Sequence, residues 1–347
     1  MGVEIRAARS AQEIDAAYEL AAKVFGPDYF TSQGLKALAR RLEPIRDYDD
    51  VVVAVAGDEI VGLVRIVGRT VAVGRHRLAV GGITSVCLRP DVQGRGYGRA
   101  IMEEALAACR RRGDVASVAF GRRAVDGFYP RLGYLGIGCH PDLAVAIDVP
   151  AAVPSVRRGF RTAEIERYAA AFEDTYGEIP LALMRDARWW TGAAERLRTR
   201  VGDDGLLVVE EAGAPAGYLV ISAGRIVEAA STRATRPALL AAVAARSADG
   251  VVRLGLPIGH WLTPALRRCN NHTLTIRCAW DGGHLLRVLD APRFAGALAD
   301  RFAALPAGAA DDHRAARALL ERLAGLDERE PSAVLQPLPT WSMVDEF

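Results

Sequence analysis

The feature that most constrains this chain is a short glycine-rich connection between a β-type run and a helical one. Ile83-Thr84-Ser85-Val86-Cys87-Leu88 has the β-branched, apolar character of a strand. Gln93-Gly94-Arg95-Gly96-Tyr97-Gly98 follows, and a helical pattern then runs from about Gly98 to Arg112, where Gly113 stops it. Glycines let a backbone come close to an anion and adopt conformations barred to other residues. The helix start aims unpaired N–H groups and the positive end of its dipole at the same point. Arg95 and Arg99 add positive charge there. A tight strand–helix joint would also need glycine, so the turn alone is not diagnostic. Other phosphate motifs fit worse: there is no GxxxxGK[ST], and the GxGxxG spacing with its downstream ribose acid is not met. The pyrophosphate of a CoA-type ligand is the best remaining fit.

Around this loop the first 150 residues read as a layered α/β unit. A strand at Val3–Ala7 precedes a helix from about Ala11 to Phe25, with Ser10 as N-cap and Glu13 completing a capping box. A second helix is expected over Ser32–Leu42. Val51–Ala56 and Ile60–Val67 form a hairpin across Gly57-Asp58-Glu59. Short stretches at Val71–Val73 and Arg77–Val80 lead to the strand before the loop. After the helix come strands at Ala116–Phe120 and Leu143–Val149, with a turn around Val125–Tyr129 between them.

At 347 residues the chain has length for two or three domains, and beyond a proline-bearing linker at Pro150–Pro154 the order partly repeats. Helices are expected over Thr162–Tyr176 and Arg185–Arg200, then a hairpin of Leu206–Glu211 with Ala216–Ile221. A strand at Ile226–Ala229, a helix at Pro237–Ala248, and strands at Val251–Leu256 and Thr273–Ala279 complete the block. It contains no glycine loop, so it reads as a duplicate that lost the cofactor site. From Arg287 on, two helices (Pro292–Leu305, Asp312–Leu323) precede an apolar tail ending Trp341-Ser342-Met343-Val344-Asp345-Glu346-Phe347.

A net charge of +2 gives no electrostatic reason to expect nucleic acid or a membrane surface as partner. Five cysteines without a CxxC pair suit reduced thiols in the cytoplasm. No apolar run approaches the ~18 residues of a membrane span, and the histidines are not spaced as metal ligands. A soluble, cytoplasmic protein without a metal is the expectation.

The run Val86-Cys87-Leu88-Arg89-Pro90-Asp91-Val92-Gln93-Gly94-Arg95-Gly96-Tyr97-Gly98 resembles motif A of the GCN5-related N-acetyltransferases (GNAT). Three further segments resemble the Eis (enhanced intracellular survival) branch: Phe128-Tyr129-Pro130-Arg131-Leu132-Gly133-Tyr134, Arg185-Asp186-Ala187-Arg188-Trp189-Trp190, and Asp281–Asp290 with its Leu285-Leu286-Arg287-Val288-Leu289-Asp290 core. The resemblance implies tandem GNAT-like domains with mixed, mostly antiparallel sheets and a short helical C-terminal extension. The corresponding division is 1–150 catalytic, 151–286 degenerate, and 287–347 a reduced sterol-carrier-like or helical region. It implies acetyl-CoA as cosubstrate, held by Val86, Cys87, Leu88, Gln93, Gly94, Arg95, Gly96, Tyr97, Gly98 and Arg99, with Ala124 and Val125 making further contacts. It also implies a homo-oligomer, a hexamer in the Eis branch. The 57 residues after Asp290 are too few for a complete sterol-carrier-like sheet, which is where this chain departs from that branch.

Acyl transfer to an amine needs a deprotonated amine, a polarised carbonyl and a proton for the leaving thiolate. By the resemblance Tyr129 is the acid; by composition alone it reads as a core aromatic. Gly81-Gly82-Ile83-Thr84-Ser85 holds no carboxylate to serve as base. Two candidates stand in for it: the α-carboxylate of Phe347, which the resemblance supports, and Asp126, which also reads as a turn aspartate. Trp189, Trp190 and Trp261 read as core, with a cationic-amine pocket as the alternative. The expected acceptor is a small-molecule or peptide amine. Competing readings are a transferase for another acyl group, including one in natural-product biosynthesis, and a non-catalytic acyl-CoA sensor.

Overall fold

The computed structural model describes residues 2–25, 45, 47–121, 127–148, 150, 152–247, 250–257, 259–267, 271–279 and 283–299. The first elements are β1 (Val3–Ala7), α1 (Ala11–Phe25), β2 (Val51–Ala56), β3 (Glu59–Val73), β4 (His76–Leu88), α2 (Tyr97–Arg111) and β5 (Ala116–Gly121). They continue with α3 (Phe128–Arg131), β6 (Leu135–Gly136), β7 (Gly138–Ala146), β8 (Ser155–Arg158), α4 (Ile165–Tyr176) and β9 (Leu183–Met184). Then come α5 (Ala187–Thr191), α6 (Ala193–Val201), β10 (Leu206–Glu211), β11 (Ala214–Ser222), β12 (Arg225–Ser231) and α7 (Arg236–Ala244). The last are β13 (Val251–Leu254), α8 (Leu262–Arg267), β14 (His272–Ala279), β15 (Gly283–Val288) and α9 (Ala291–Ala299).

The strands form two mixed sheets, as expected. The first has the order β1-β2-β3-β4-β5-β15-β6, with β9 paired to β3; the second is β14-β7-β13-β12-β11-β10-β8. Each has one parallel pair, β4–β5 in the first and β12–β13 in the second, and is otherwise antiparallel. The short stretches at Val71–Val73 and Arg77–Val80 are not separate strands. Unbroken pairing from Arg65↔Thr84 to Val73↔His76 merges them into the long β3–β4 hairpin.

Sheet membership crosses both boundaries drawn from the sequence. The strand read as closing the first block, β7, pairs with β13 and β14 in the second sheet. Conversely β15, read from the sequence only as a motif resemblance, lies between β5 and β6 of the first sheet, with Val288↔Ala116 through Gly283↔Gly121 on one side. Strand period says which faces are buried but not which neighbour supplies the hydrogen bonds. The helix expected over Arg185–Arg200 is broken at Gly192 into α5 and α6. The expected helices at Ser32–Leu42 and Asp312–Leu323 lie outside the described residues.

Packing explains the layers. On one face of the first sheet α2 contributes Ile101, Met102, Ala105 and Leu106 to a core with Val64, Ile66, Ile83 and Tyr129. On the other face α1 packs Ile14, Ala17, Tyr18 and Ala21 against Val53, Leu63 and Cys87. Its start is held by Ser10, whose Oγ accepts from the Glu13 amide at 3.2 Å. The Glu13 carboxylate does not close the box on Ser10; it accepts from the Arg9 amide at 2.7 Å and pairs with Arg6, whose guanidinium holds its pKa down at about 2. Gly81 lets α2 approach the sheet, since a Cβ there would overlap the Cys109 sulfur. A third core, with Val71, Val80, Leu181, Leu183, Leu286 and Phe294, joins β9, β15 and α9 to the first sheet.

Candidate active site

Two structural facts open a site at the end of β4. The first is a splay. The parallel ladder between β4 and β5 runs from Val80↔Ala116 to Ile83↔Ala119 and stops, although β4 continues to Leu88 and β5 to Gly121. A bulge in the β3–β4 ladder coincides with it, and Ser85 there has φ of 54°, a left-handed conformation unusual for a side-chain-bearing residue. From Thr84 to Leu88 the edge of β4 is therefore turned away from its parallel neighbour.

The second is the loop. Gln93 anchors its start, donating from Nε2 to the Leu88 carbonyl at 3.0 Å. Arg89 braces it through Asp91 (2.6 Å) and Glu59 (2.7 Å). Gly94 and Gly96 have φ of 76° and 86°, and nothing lies within 4 Å of where a Cβ would stand on either. Gly96 is the N-cap of α2 and offers no side chain to the first amides, so those of Tyr97 and Gly98 face outward uncapped. These glycines thus shape a turn and leave open space in front of a helix dipole, which fits a pyrophosphate.

The expected cofactor residues divide by role. Val86, Leu88 and Tyr97 pack on the α2-side core, leaving backbone groups at the splay. Cys87 turns its side chain into the α1-side core, and burial pushes its thiol up to about 12, so only its backbone is left at the splay. Arg95 is exposed beside the glycines. Arg99 is exposed as well, but its guanidinium pairs with Glu103 at 2.7 Å. Ala124, Val125, Asp126 and Phe347 lie outside the described residues.

Tyr129 is brought to this site through α3. Phe128 packs directly over Gly98, where a Cβ would stand 3.4 Å from the Phe128 ring. The Tyr129 ring is buried, edge-on to Phe128 at 5.2 Å and to Tyr134 at 5.5 Å. Tyr134 is wholly buried and its hydroxyl is 2.6 Å from Ser117 Oγ. Since Ser117 donates its own proton to the Gly81 carbonyl, Tyr134 is the donor of that pair.

The match to known proteins now has its geometry. Residues 4–136 match the family model described as "Acetyltransferase (GNAT) domain". This segment is thus similar to GNAT acetyltransferase domains. Solved structures share the fold over most of the chain. Eis1 from Mycobacterium abscessus superposes with a TM-score of 0.61 at 18% identity, covering 85% of this chain and 76% of that one. A GCN5-related N-acetyltransferase from Kribbella flavida gives 0.60 at 19% identity, covering 84% and 73%. A probable N-acyltransferase from Enterococcus faecalis gives 0.59 at 16%, covering 83% and 73%. No curated protein matches the sequence. With 83–85% of this chain covered, the shared fold extends beyond residues 4–136. Among the described residues no helix is long and apolar enough to cross a membrane, and no cluster of three or more metal-type side chains occurs.

The tryptophan motif has a different use from a substrate cage. Arg185 lies 4.1 Å over the Phe172 ring and 3.8 Å over Trp189, and forms a fully buried two-pronged pair with Glu228 of β12, both arms at 2.6 Å. Tyr218 donates to the same carboxylate at 2.7 Å. Asp186 caps α5 by accepting from the Trp189 amide at 2.8 Å. The aromatic residues thus surround a cation that belongs to the protein. Sequence reasoning missed Glu228 and His260, because a single acid in a strand and a single histidine in a loop give no spacing signal.

Proposed function

We propose that the chain is an acetyl-CoA-dependent N-acetyltransferase that acetylates a primary amine by direct transfer, with Tyr129 as general acid. The observation that carries this reading is the continuity of the site. The open edge of β4 leads into the uncapped, glycine-shaped start of α2, and the turn bearing Tyr129 packs on that same helix start through Phe128 and Gly98. In this reading the backbone of Val86 and Leu88 pairs with the pantetheine arm, and the amides from Gly94 to Gly98 hold the pyrophosphate. Arg95 supports its charge. Arg99, engaged with Glu103, is secondary.

Acetyl-CoA supplies a thioester carbonyl. The amine nitrogen forms the new C–N bond as the C–S bond breaks; the sulfur keeps the electron pair and takes a proton. A phenol such as that of Tyr129 can give up its proton to that thiolate. Because β4 has no carboxylate between Gly81 and Leu88, the amine's proton leaves to a group other than a strand glutamate.

The test is thiol release from acetyl-CoA with a panel of polyamines, aminoglycosides and lysine peptides, on wild type and Tyr129→Phe. We expect turnover on at least one amine, and a loss of about a hundredfold in kcat for the variant with acetyl-CoA binding retained. Turnover on no amine, with acetyl-CoA still bound, would replace the transferase by an acyl-CoA sensor.

A further inference from the structure

The Leu285–Asp290 motif has no part in the chemistry so far, yet it sends a strand into the GNAT domain. β15 fills the place between β5 and β6, and the cross-strand partner of its Arg287 is Ser117. These two residues grip the turn that carries Tyr129 at successive points. Ser117 fixes the Tyr134 hydroxyl. Arg287 Nη1 donates to the Leu132 carbonyl at 2.5 Å, a contact between residues 155 apart in sequence.

The gripped turn is short and internally tied. The Leu132 and Tyr134 amides both donate to the Tyr129 carbonyl, at 2.9 and 3.1 Å, and Gly133 donates to Pro130 at 2.9 Å. Gly133 has φ of 80°, so the chain reverses there and brings the Tyr134 ring against Tyr129. Any movement of Leu132 is transmitted to Tyr129 through these bonds.

Arg287 is an expensive residue for this place. It is half-buried, and burial together with the nearby Arg110 pushes its pKa down. Among the described residues its side chain contacts the Leu132 carbonyl, and its Nε is buried without a partner. Its neighbour Leu285 and the adjacent Tyr134 belong to the apolar α2-side core. A leucine at 287 would pack there with no desolvation cost. What a leucine cannot do is donate to the carbonyl of Leu132.

We propose that Arg287, brought in by β15 from beyond the second sheet's strands, is a positioning residue for Tyr129. The acetyl-transfer unit then comprises residues 4–136 together with β15, and is incomplete without it. This rests on the reading of Tyr129 as the acid, so the experiment has two independent arms.

Full-length wild type, Arg287→Met and Arg287→Lys are compared by steady-state kinetics with acetyl-CoA and the best amine of the panel, and by hydrogen–deuterium exchange. The methionine variant should lose ten- to a hundredfold in kcat, the scale of a misplacement near 1 Å. KM for acetyl-CoA should stay within about twofold, since the loop and β4 are untouched. The lysine variant, which keeps one donor, should recover part of kcat. Exchange at Leu132–Tyr134 should accelerate in the methionine variant while β4 stays protected. Unchanged exchange at Leu132–Tyr134, or an unchanged kcat in an active enzyme, overturns the proposal. Should wild type acetylate no amine, the transferase reading fails separately and the exchange arm alone decides positioning. Should Arg287→Met not fold, Arg287→Lys is compared with wild type on the same readouts, an intermediate loss being expected and no change overturning the proposal.

Discussion

Two strand–loop–helix units sit in this chain, β4–loop–α2 and β12–loop–α7, and they answer one geometric problem in opposite ways. Both follow a strand whose parallel pairing ends early. β4 leaves β5 after Ile83, and β12 meets β13 only at Ile226↔Leu254. Both strands carry a bulge near the divergence, at Ser85 in one and at Val220/Ile221 of the partner ladder in the other. In the first unit the freed edge leads to Gly94, Gly96 and an uncapped 15-residue helix. In the second, four residues (232–235) lead to a nine-residue helix, and the freed edge is closed from within. His260 Nε2 donates to the Ala229 carbonyl at 2.8 Å, while its Nδ1 accepts from the Leu262 amide at 3.2 Å, which fixes the neutral tautomer.

The second unit is also filled by Arg185, Glu228 and the aromatic residues around them. The space left beside its loop, lined by Arg167, Tyr168, Pro215, Thr232 and Thr235, is a cavity of about 140 Å³, well below the ~300 Å³ at which ligand pockets begin. One architecture thus leaves a strand edge open in the first unit and satisfies it internally in the second. Buried backbone carbonyls need a partner in either case.

The largest effect that would break this contrast is at Glu228. Replacing it by alanine leaves Arg185 buried without its carboxylate and should cost about 3–5 kcal/mol, read as a fall in the urea midpoint. Acetyl-CoA binding should be unchanged at temperatures where the variant is folded. If binding fell and stability held, the second unit would be part of the cofactor site.

His260 gives a pH signature of the closed edge. Burial lowers its pKa from 6.5 to about 4. The unfolded chain therefore takes the proton near pH 6.5 while the folded one resists to about 4. The stability linked to it is full above 6.5 and is lost as pH falls through that window, by about 3 kcal/mol in all. His260→Asn should be less stable at pH 7.5, and its urea midpoint should vary less between pH 6.5 and 4. An equal slope in both proteins would show that His260 titrates as an exposed histidine.

The smallest effect sharpens the open unit. Gly96→Ala places a Cβ on a left-handed residue at a strain of about 1–2 kcal/mol, and puts a methyl group into the open space before α2. Acetyl-CoA affinity measured by calorimetry should fall about tenfold, whereas Thr235→Ala in the second loop should leave it unchanged. Equal behaviour of the two variants would remove the distinction between the loops.

Local pattern made much of this legible. The Gln93–Gly98 loop, the helix behind it and the hairpins announce themselves because glycine conformation, strand alternation and capping act over a few residues. The α/β order of the second block was legible for the same reason, and so was the absence of a glycine loop in it. The tryptophan pair could be recognised as core, but not as the enclosure of Arg185, because Glu228 lies 43 residues away. The Leu285–Asp290 segment shows most clearly where such reading ends. Its residues mark a β-prone run, yet nothing local in them states that the run enters the first sheet and reaches Leu132.

The sequence by itself therefore determined the mixed two-unit α/β class and the glycine-shaped loop before α2, each set by contacts within a short span. Only the tertiary structure decided that β7 and β15 change sheets, that one splayed edge is open and the other closed by His260, and that Arg287 reaches the Leu132 carbonyl. Those outcomes depend on which distant strand satisfies a backbone edge. That choice is made by packing the whole chain, since a strand's pattern specifies its buried face and leaves its neighbour free.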